Sequence, residues 1–332
     1  MFKVWFMFLL TSVMILGVIL SITSFSWFSA WIGLELNTLS FIPFLALGSS
    51  NKIESGMKYF LVQSCSSFVM LQGAMMINMG EKMAMLVILS SLVLKVGGSP
   101  FHQWFPLVMV GLDWLSGMLL MTLQKLAPLT LIFYMYTPFF KWGFTVLALS
   151  SGFIGMMGGL NELLISKLLS FSSINHLGWV IYSMTFEGGL WVIYFFSYCL
   201  MIMSILCCLH ILDVYHLNQM MMKKSGYNQV HLFLLLMSLG GMPPLFGFLP
   251  KWMVVNCLSS VSDLAIMTLF LSMSVVTLFF YTRLGLSSLT FHFDSFIKSD
   301  STKSIGKVGW VFSLNMGLTF AWGLGLMLSF LH

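Results

Sequence analysis

Apolar residues run along this chain in blocks of 18 or more, with polar residues gathered between the blocks and no two-residue alternation. A membrane barrel would alternate apolar and polar positions over roughly ten-residue segments, whereas a helix needs about 20 apolar residues to cross hydrocarbon. The pattern therefore predicts an all-α polytopic membrane protein with about eleven transmembrane helices. They fall near residues 4–23, 26–48, 57–78, 83–110, 115–137, 142–163, 168–186, 189–212, 230–258, 264–286 and 308–330. The fourth and ninth are longer than a span requires, and each holds Gly-Gly-x-Pro in its middle. Both are expected to be discontinuous helices that still cross.

The two interruptions repeat one another. Gly97-Gly98-Ser99-Pro100, with Pro106 beyond, recurs as Gly240-Gly241-Met242-Pro243, with Pro250 beyond. They lie five spans apart, and an odd offset makes two five-helix units enter the membrane from opposite sides. The expected organisation is a single membrane domain over 1–332. It comprises a first repeat over 1–138, an inverted second repeat over 139–287, and a loop with a final helix over 288–332. Paired interrupted spans in an inverted repeat point to a transport site. Gly and Pro are also common in membrane helices generally, but their matched positions in both halves favour a functional reading.

Composition excludes a soluble domain: 59% of the 332 residues are hydrophobic and 8% are charged. Mean hydropathy is +0.97. Lys3, Lys52, Lys58, Lys167, Lys223, Lys224, Lys298, Lys303 and Lys307 fall at the amino terminus and in the even loops, against Lys82 and Lys141 in the odd ones. By the positive-inside rule the amino terminus faces the cytoplasm or matrix, and His332 the opposite side. The net charge of +5 is thus a topology signal, with no basic stripe to suit a nucleic acid. No removable leader is expected ahead of the first span. Cys65, Cys199, Cys207, Cys208 and Cys257 lie in apolar segments without a CxxC spacing and read as small core residues. Methionine outnumbers isoleucine 29 to 20, which suggests a genome that reads an isoleucine-type codon as methionine, as many mitochondria do.

Ionisable residues inside the apolar blocks mark the candidate chemistry, because a charge at membrane depth is costly unless paired, hydrated or neutralised. Lys95 closes a nearly wholly apolar run just before Gly97. Glu35 lies about nine residues from either end of its span, roughly 13 Å deep at the helical rise and beyond snorkelling reach. Lys125 follows ten uncharged residues, and Lys251 follows Pro250 in the second interrupted span. His176 sits in a span beside Ser172 and Ser173. Desolvation disfavours a charged ammonium and a nearby carboxylate favours it, so moving Glu35 relative to Lys95 would switch the lysine between charged and neutral. Such a switch suits proton handling, with backbone freed at the breaks available to order water. The plainer readings stay open: a structural Glu35–Lys95 ion pair, a snorkelling Lys251, and a His176 that is only a helix contact. His102 and Asp113 are expected near solvent, and Glu162 to anchor a span end with Lys167.

Six strings carry a resemblance: Trp-Ile-Gly-Leu-Glu-Leu-Asn (31–37), Leu-Lys-Val-Gly-Gly-Ser-Pro-Phe-His-Gln-Trp-Phe-Pro (94–106), Leu-Gln-Lys-Leu-Ala-Pro (123–128), Gly-Gly-Leu-Asn-Glu (158–162), Ser-Ser-Ile-Asn-His-Leu-Gly-Trp (172–179) and Gly-Gly-Met-Pro-Pro-Leu-Phe-Gly-Phe-Leu-Pro-Lys-Trp (240–252). In this order they resemble the chain 2 family of mitochondrial NADH-ubiquinone oxidoreductase, the antiporter-like subunits of the respiratory complex I membrane arm. The resemblance implies a proton-pumping subunit of the mitochondrial inner membrane with its amino terminus in the matrix. It implies that Glu35 and Lys95 are the coupled carboxylate and lysine, Lys125 the central relay lysine and Lys251 the distal one, with His176 matching a histidine of less settled role. It further implies partners among the other membrane-arm subunits, including a neighbouring antiporter-like subunit, and lipids such as cardiolipin. Flavin, iron-sulfur clusters and quinone would be held by other subunits, leaving no cofactor in this chain. A stand-alone cation/proton antiporter and a purely structural membrane subunit are the competing readings.

Overall fold

The computed structural model describes residues 2–79, 83–186, 189–217, 219, 226–261 and 263–290. The expected last span, together with Lys82, Lys223, Lys224, Lys298, Lys303, Lys307 and His332, lies outside the described residues. Among the described residues regular structure is helical, apart from one isolated bridge between Leu164 and His216. The helices are α1 (Phe2–Ile22), α2 (Trp27–Ala46), α3 (Ser50–Asn78), α4 (Ala84–Val96), α5 (Trp104–Gly111), α6 (Trp114–Met121), α7 (Leu123–Tyr134), α8 (Lys141–Gly159), α9 (Ile165–Ser183), α10 (Leu190–Leu212), α11 (Gly226–Gly240), α12 (Phe248–Val261) and α13 (Leu264–Thr290). Each of the first ten expected spans falls on a helix or a pair of helices. α3 begins at Ser50, so Lys52 and Lys58 lie on its first turns rather than in a loop. There Lys52 pairs with Asp113, and Lys58 with Glu54 at 2.7 Å.

The chain forms two compact units, one ending at Ser151 and one starting at Gly152. In the first, α2 starts at a capping box of Ser26 and Ser29, which satisfies helix-end amides where no earlier turn exists. Small residues let α1 and α2 approach closely: a Cβ on Gly33 would lie 2.6 Å from the Ser21 nitrogen. α3 packs on α4 and α5, and α7 packs on α1 and α4. In the second unit α10 packs on α9, α11 and α12, and α13 on α11 and α12. Large apolar side chains such as Trp5, Phe8, Phe68, Phe196 and Phe279 stand on the outside, as a lipid-facing surface requires.

Both expected breaks are present. α4 stops at Gly97, whose φ of +76° is left-handed, and the Gly97 and Gly98 amides turn back to Val93 O at 3.1 and 3.0 Å. α11 stops at Gly241, φ +85°, and the Gly241 and Met242 amides turn back to Met237 O at 3.1 and 3.3 Å. The structural equivalents are therefore Gly97 and Gly241, one residue out of step with the sequence repeat. Only the left-handed position demands glycine, and either member of a Gly-Gly pair meets that demand.

A third interruption departs from the sequence expectation of a continuous span over 115–137. The helix divides at Thr122, whose hydroxyl donates to Met118 O at 2.7 Å. Pro128 lies nearly two turns beyond and has no amide hydrogen for the Gln124 carbonyl. The cysteines also depart in part: Cys208 is buried, but Cys65 is exposed and the other three are intermediate. A thiol is apolar enough to face lipid as well as core.

Candidate functional site

In the first unit Lys95 closes α4 and Lys125 lies on the first turn of α7, yet both line one small cavity with room for about one water. Its polar wall also includes Asn37, Tyr59, Gln63 and Gln124. Lys95 is 5% exposed and Lys125 2% exposed, so neither ammonium snorkels. The Lys95 Nζ has no hydrogen-bond partner among the described residues. The Lys125 Nζ stands 4.4 Å over the centre of the Phe105 ring, whose face attracts a cation.

Glu35 on α2 acts electrostatically on both Lys95 and Tyr59, but it forms no ion pair with Lys95. Its Oε2 is buried without a hydrogen-bond partner among the described residues. The structural ion-pair reading of these two residues therefore fails. What stands in its place is an acid and a base in each other's field but out of contact, an arrangement that a small helix movement can strengthen or weaken.

The break that ends α4 deprives its last carbonyls of the amides one turn on, although the Gly97 amide still reaches Leu94 O at 3.2 Å. Neutral side chains serve them: Gln63 Nε2 donates to Lys95 O at 3.2 Å, and Trp104 Nε1 to Leu94 O at 3.0 Å. A second chain of uncharged groups crosses the cavity wall. Tyr59 donates its hydroxyl to Gln124 Oε1 at 3.1 Å, and Gln124 Nε2 donates to Asn37 Oδ1 at 3.0 Å. Motif reading passed over these residues, although Asn37 and Gln124 lie inside the quoted strings. The signal available was a buried amide in an apolar run, which needs a partner as surely as a charge does.

The second unit brings His176 and Lys251 into one neighbourhood. Lys251, in the first turn of α12, is buried and donates from Nζ to Gly240 O at 2.8 Å, at the carbonyl end of α11. A Cβ on Gly241 would lie 3.1 Å from that nitrogen, so the glycine also makes room for the lysine. Snorkelling is thus excluded for Lys251. Its Nζ is 5.9 Å from the Trp179 ring, which stacks on Tyr194 at 6.3 Å between centres and 9° between planes. The Tyr194 hydroxyl meets His176 Nδ1 at 3.0 Å, and the Tyr198 ring lies 5.2 Å from the imidazole. Tyr194 and Trp179 were not among the residues expected from sequence.

The remaining candidates lie at helix ends. Glu162 Oε2 is 3.5 Å from Lys167 Nζ, the anchoring pair expected. His102 Nδ1 lies 3.2 Å from Pro100 O, beside the first break, and Asp113 is half exposed in its pair with Lys52. Among the described residues no group of three or more His, Cys, Asp or Glu is placed to hold a metal ion.

Comparison with known proteins supplies the family. The family model described as NADH:quinone oxidoreductase/Mrp antiporter, TM, matches residues 24–81 and 73–277. NADH-ubiquinone oxidoreductase chain 2 of Anopheles gambiae is 38% identical over 315 residues, covering 90% of this chain and 92% of the relative. The Aedes aegypti protein of the same name is 41% identical over 286 residues, 82% of this chain and 83% of its own. Among solved structures, a chain of respiratory complex I from Thermus thermophilus with bound Aureothin superposes with a TM-score of 0.81 at 21% identity. That match covers 96% of this chain and 79% of the other. A chain of the Mrp complex from Dietzia sp. DQ12-45-1b gives 0.76 at 18% identity, covering 86% of this chain and 60% of that one. The structural likenesses establish a shared fold; the sequence relatives, above 30% identity over more than four-fifths of its length, establish that this chain belongs to the NADH-ubiquinone oxidoreductase chain 2 family.

Proposed function

We propose that this chain is a proton-translocating, antiporter-like subunit of the membrane arm of mitochondrial respiratory complex I. The observation that carries the proposal is the buried Lys95 ammonium, unpaired beside the first helix break, within the field of Glu35 and on one cavity with Lys125. A structural lysine would be expected to meet its carboxylate. A lysine that exchanges protons must change charge at little cost, and an acid near but not touching allows that. Lys125, Lys251 and His176 are the further relay groups in this reading, each buried and each beside an aromatic ring.

The driving energy comes from quinone reduction by NADH, with flavin, iron-sulfur clusters and quinone held by other subunits. The chain lies in the inner mitochondrial membrane with its amino terminus in the matrix, contacts neighbouring membrane-arm subunits including another antiporter-like one, and meets lipids such as cardiolipin on its apolar exterior. Lys95→Met and Glu35→Gln in the whole complex test the assignment. Each should lower proton translocation and coupled NADH oxidation together while the complex still assembles on a native gel. A variant that assembles and pumps at the normal proton-to-electron ratio removes its residue from the mechanism. Cation transport by the purified, reconstituted chain would instead make it a free-standing antiporter.

A further inference from the structure

The cavity between Lys95 and Lys125 holds a directed chain of neutral hydrogen bonds that the lysine mechanism does not use. Tyr59 gives its only hydroxyl hydrogen to Gln124, and Gln124 gives an amide hydrogen to Asn37. Both bonds therefore point the same way, toward Asn37. The phenol, its hydrogen committed, has acceptor capacity to spare, and it lines the same cavity as the two lysines. Gln124 is next to Lys125 in sequence, and Gln63, on the same helix as Tyr59, holds the Lys95 carbonyl.

Each of these groups is 8% exposed or less. Burying four uncharged polar side chains in a membrane protein core is costly unless they are matched to one another, and an apolar wall would serve packing better. Tyr59 also packs by its ring, 5.1 Å from Phe41 and 5.9 Å from Trp104, so its position does not depend on the hydroxyl.

We propose that Tyr59, Gln124 and Asn37 form a positioning device for proton transfer between Lys95 and Lys125, a role that rests on the proposed function above. The transfer runs through one water. The Lys95 ammonium breaks an N–H bond and gives its proton to that water, and the resulting hydronium gives a proton to the neutral Lys125 amine. The net change is a neutral Lys95 and a charged Lys125, and the reverse step is the mirror of it. Tyr59 stays protonated throughout. Its oxygen accepts a hydrogen bond from the water and stabilises the hydronium, while Gln124 and Asn37 stop the phenol from turning its own hydrogen toward that positive charge.

The test uses the assembled complex with Tyr59→Phe, Gln124→Met and the double variant, alongside Lys95→Met. The readouts are proton translocation per assembled complex and its ratio in H2O to D2O. Either single variant should lower translocation roughly fivefold, the factor set by one neutral hydrogen bond, and should raise the solvent isotope ratio. The double variant should fall no further than the worse single one, because the two residues act as a unit. Tyr59→Phe keeps the ring packing and is decisive if Gln124→Met lowers the amount of complex. Full translocation with an unchanged isotope ratio in Tyr59→Phe, while Lys95→Met is impaired, overturns the positioning device and leaves the lysine assignment standing. An unimpaired Lys95→Met overturns both.

Discussion

The two broken helices end in the same way and use their lysines differently. At the first break Gln63 holds the Lys95 carbonyl, Trp104 shares the Leu94 carbonyl with the Gly97 amide, and the Lys95 ammonium has no hydrogen-bond partner among the described residues. At the second, Lys251 itself donates to Gly240 O. One lysine is released from structural duty by neutral neighbours; the other combines capping with whatever chemistry it performs. A helix break thus creates two separate demands, for a left-handed residue and for hydrogen-bond donors, and the two halves meet the second demand with different groups.

The sharpest way to break this comparison is to replace each lysine by methionine. Lys251→Met removes the donor to Gly240 O and leaves a buried carbonyl unserved, at a cost of about 1–3 kcal/mol. Lys95→Met removes a desolvated ammonium that meets no hydrogen-bond partner among the described residues and feels Glu35 only across a gap, so the fold should be unaffected or slightly stabilised. Thermal melting of the purified complex, with the amount assembled read on native gels, should therefore separate two variants that both lose proton translocation. Equal destabilisation would show that Lys251 does no capping.

Glycine gives the next contrast. Gly97→Ala and Gly241→Ala each put a side chain at positive φ, at a cost of about 1–2 kcal/mol. At Gly97 the new methyl meets Phe105 Cβ at 3.1 Å, whereas at Gly241 it meets Lys251 Cδ at 3.0 Å and Nζ at 3.1 Å. Gly241→Ala should displace the lysine and lose more translocation per complex than Gly97→Ala. Equal losses would place the damage in the backbone alone.

Local signals made part of this site legible in the sequence and hid the rest. A lysine in an apolar run and a Gly-Gly-x-Pro string can be seen within about ten residues, which is why Glu35, Lys95, Lys125 and Lys251 and both breaks could be named. Tyr59 and Gln124 are 65 residues apart, and Gln63 and Lys95 are 32 apart, so nothing local links the partners. The one-residue shift of the repeat was invisible for a different reason: two adjacent glycines look equivalent until φ is known. Thr122 was missed because a threonine returning its hydroxyl to the preceding turn is common in membrane helices and seldom divides one.

The smallest effect expected belongs to Tyr194→Phe. The substitution keeps the ring stacked on Trp179 and removes only the hydroxyl that meets His176 Nδ1. One neutral hydrogen bond contributes about 0.5–1.5 kcal/mol, so melting should shift little. If His176 relays protons, however, loss of that hydroxyl removes one of the contacts that bias its tautomer, and which ring nitrogen carries hydrogen decides the side from which it can donate. Translocation per complex should then fall while stability holds, and His176→Gln should abolish any further effect of Tyr194→Phe. A Tyr194→Phe variant with unchanged translocation would leave His176 as a helix contact, and the second unit would then depend on Lys251 alone where the first uses two lysines on one cavity.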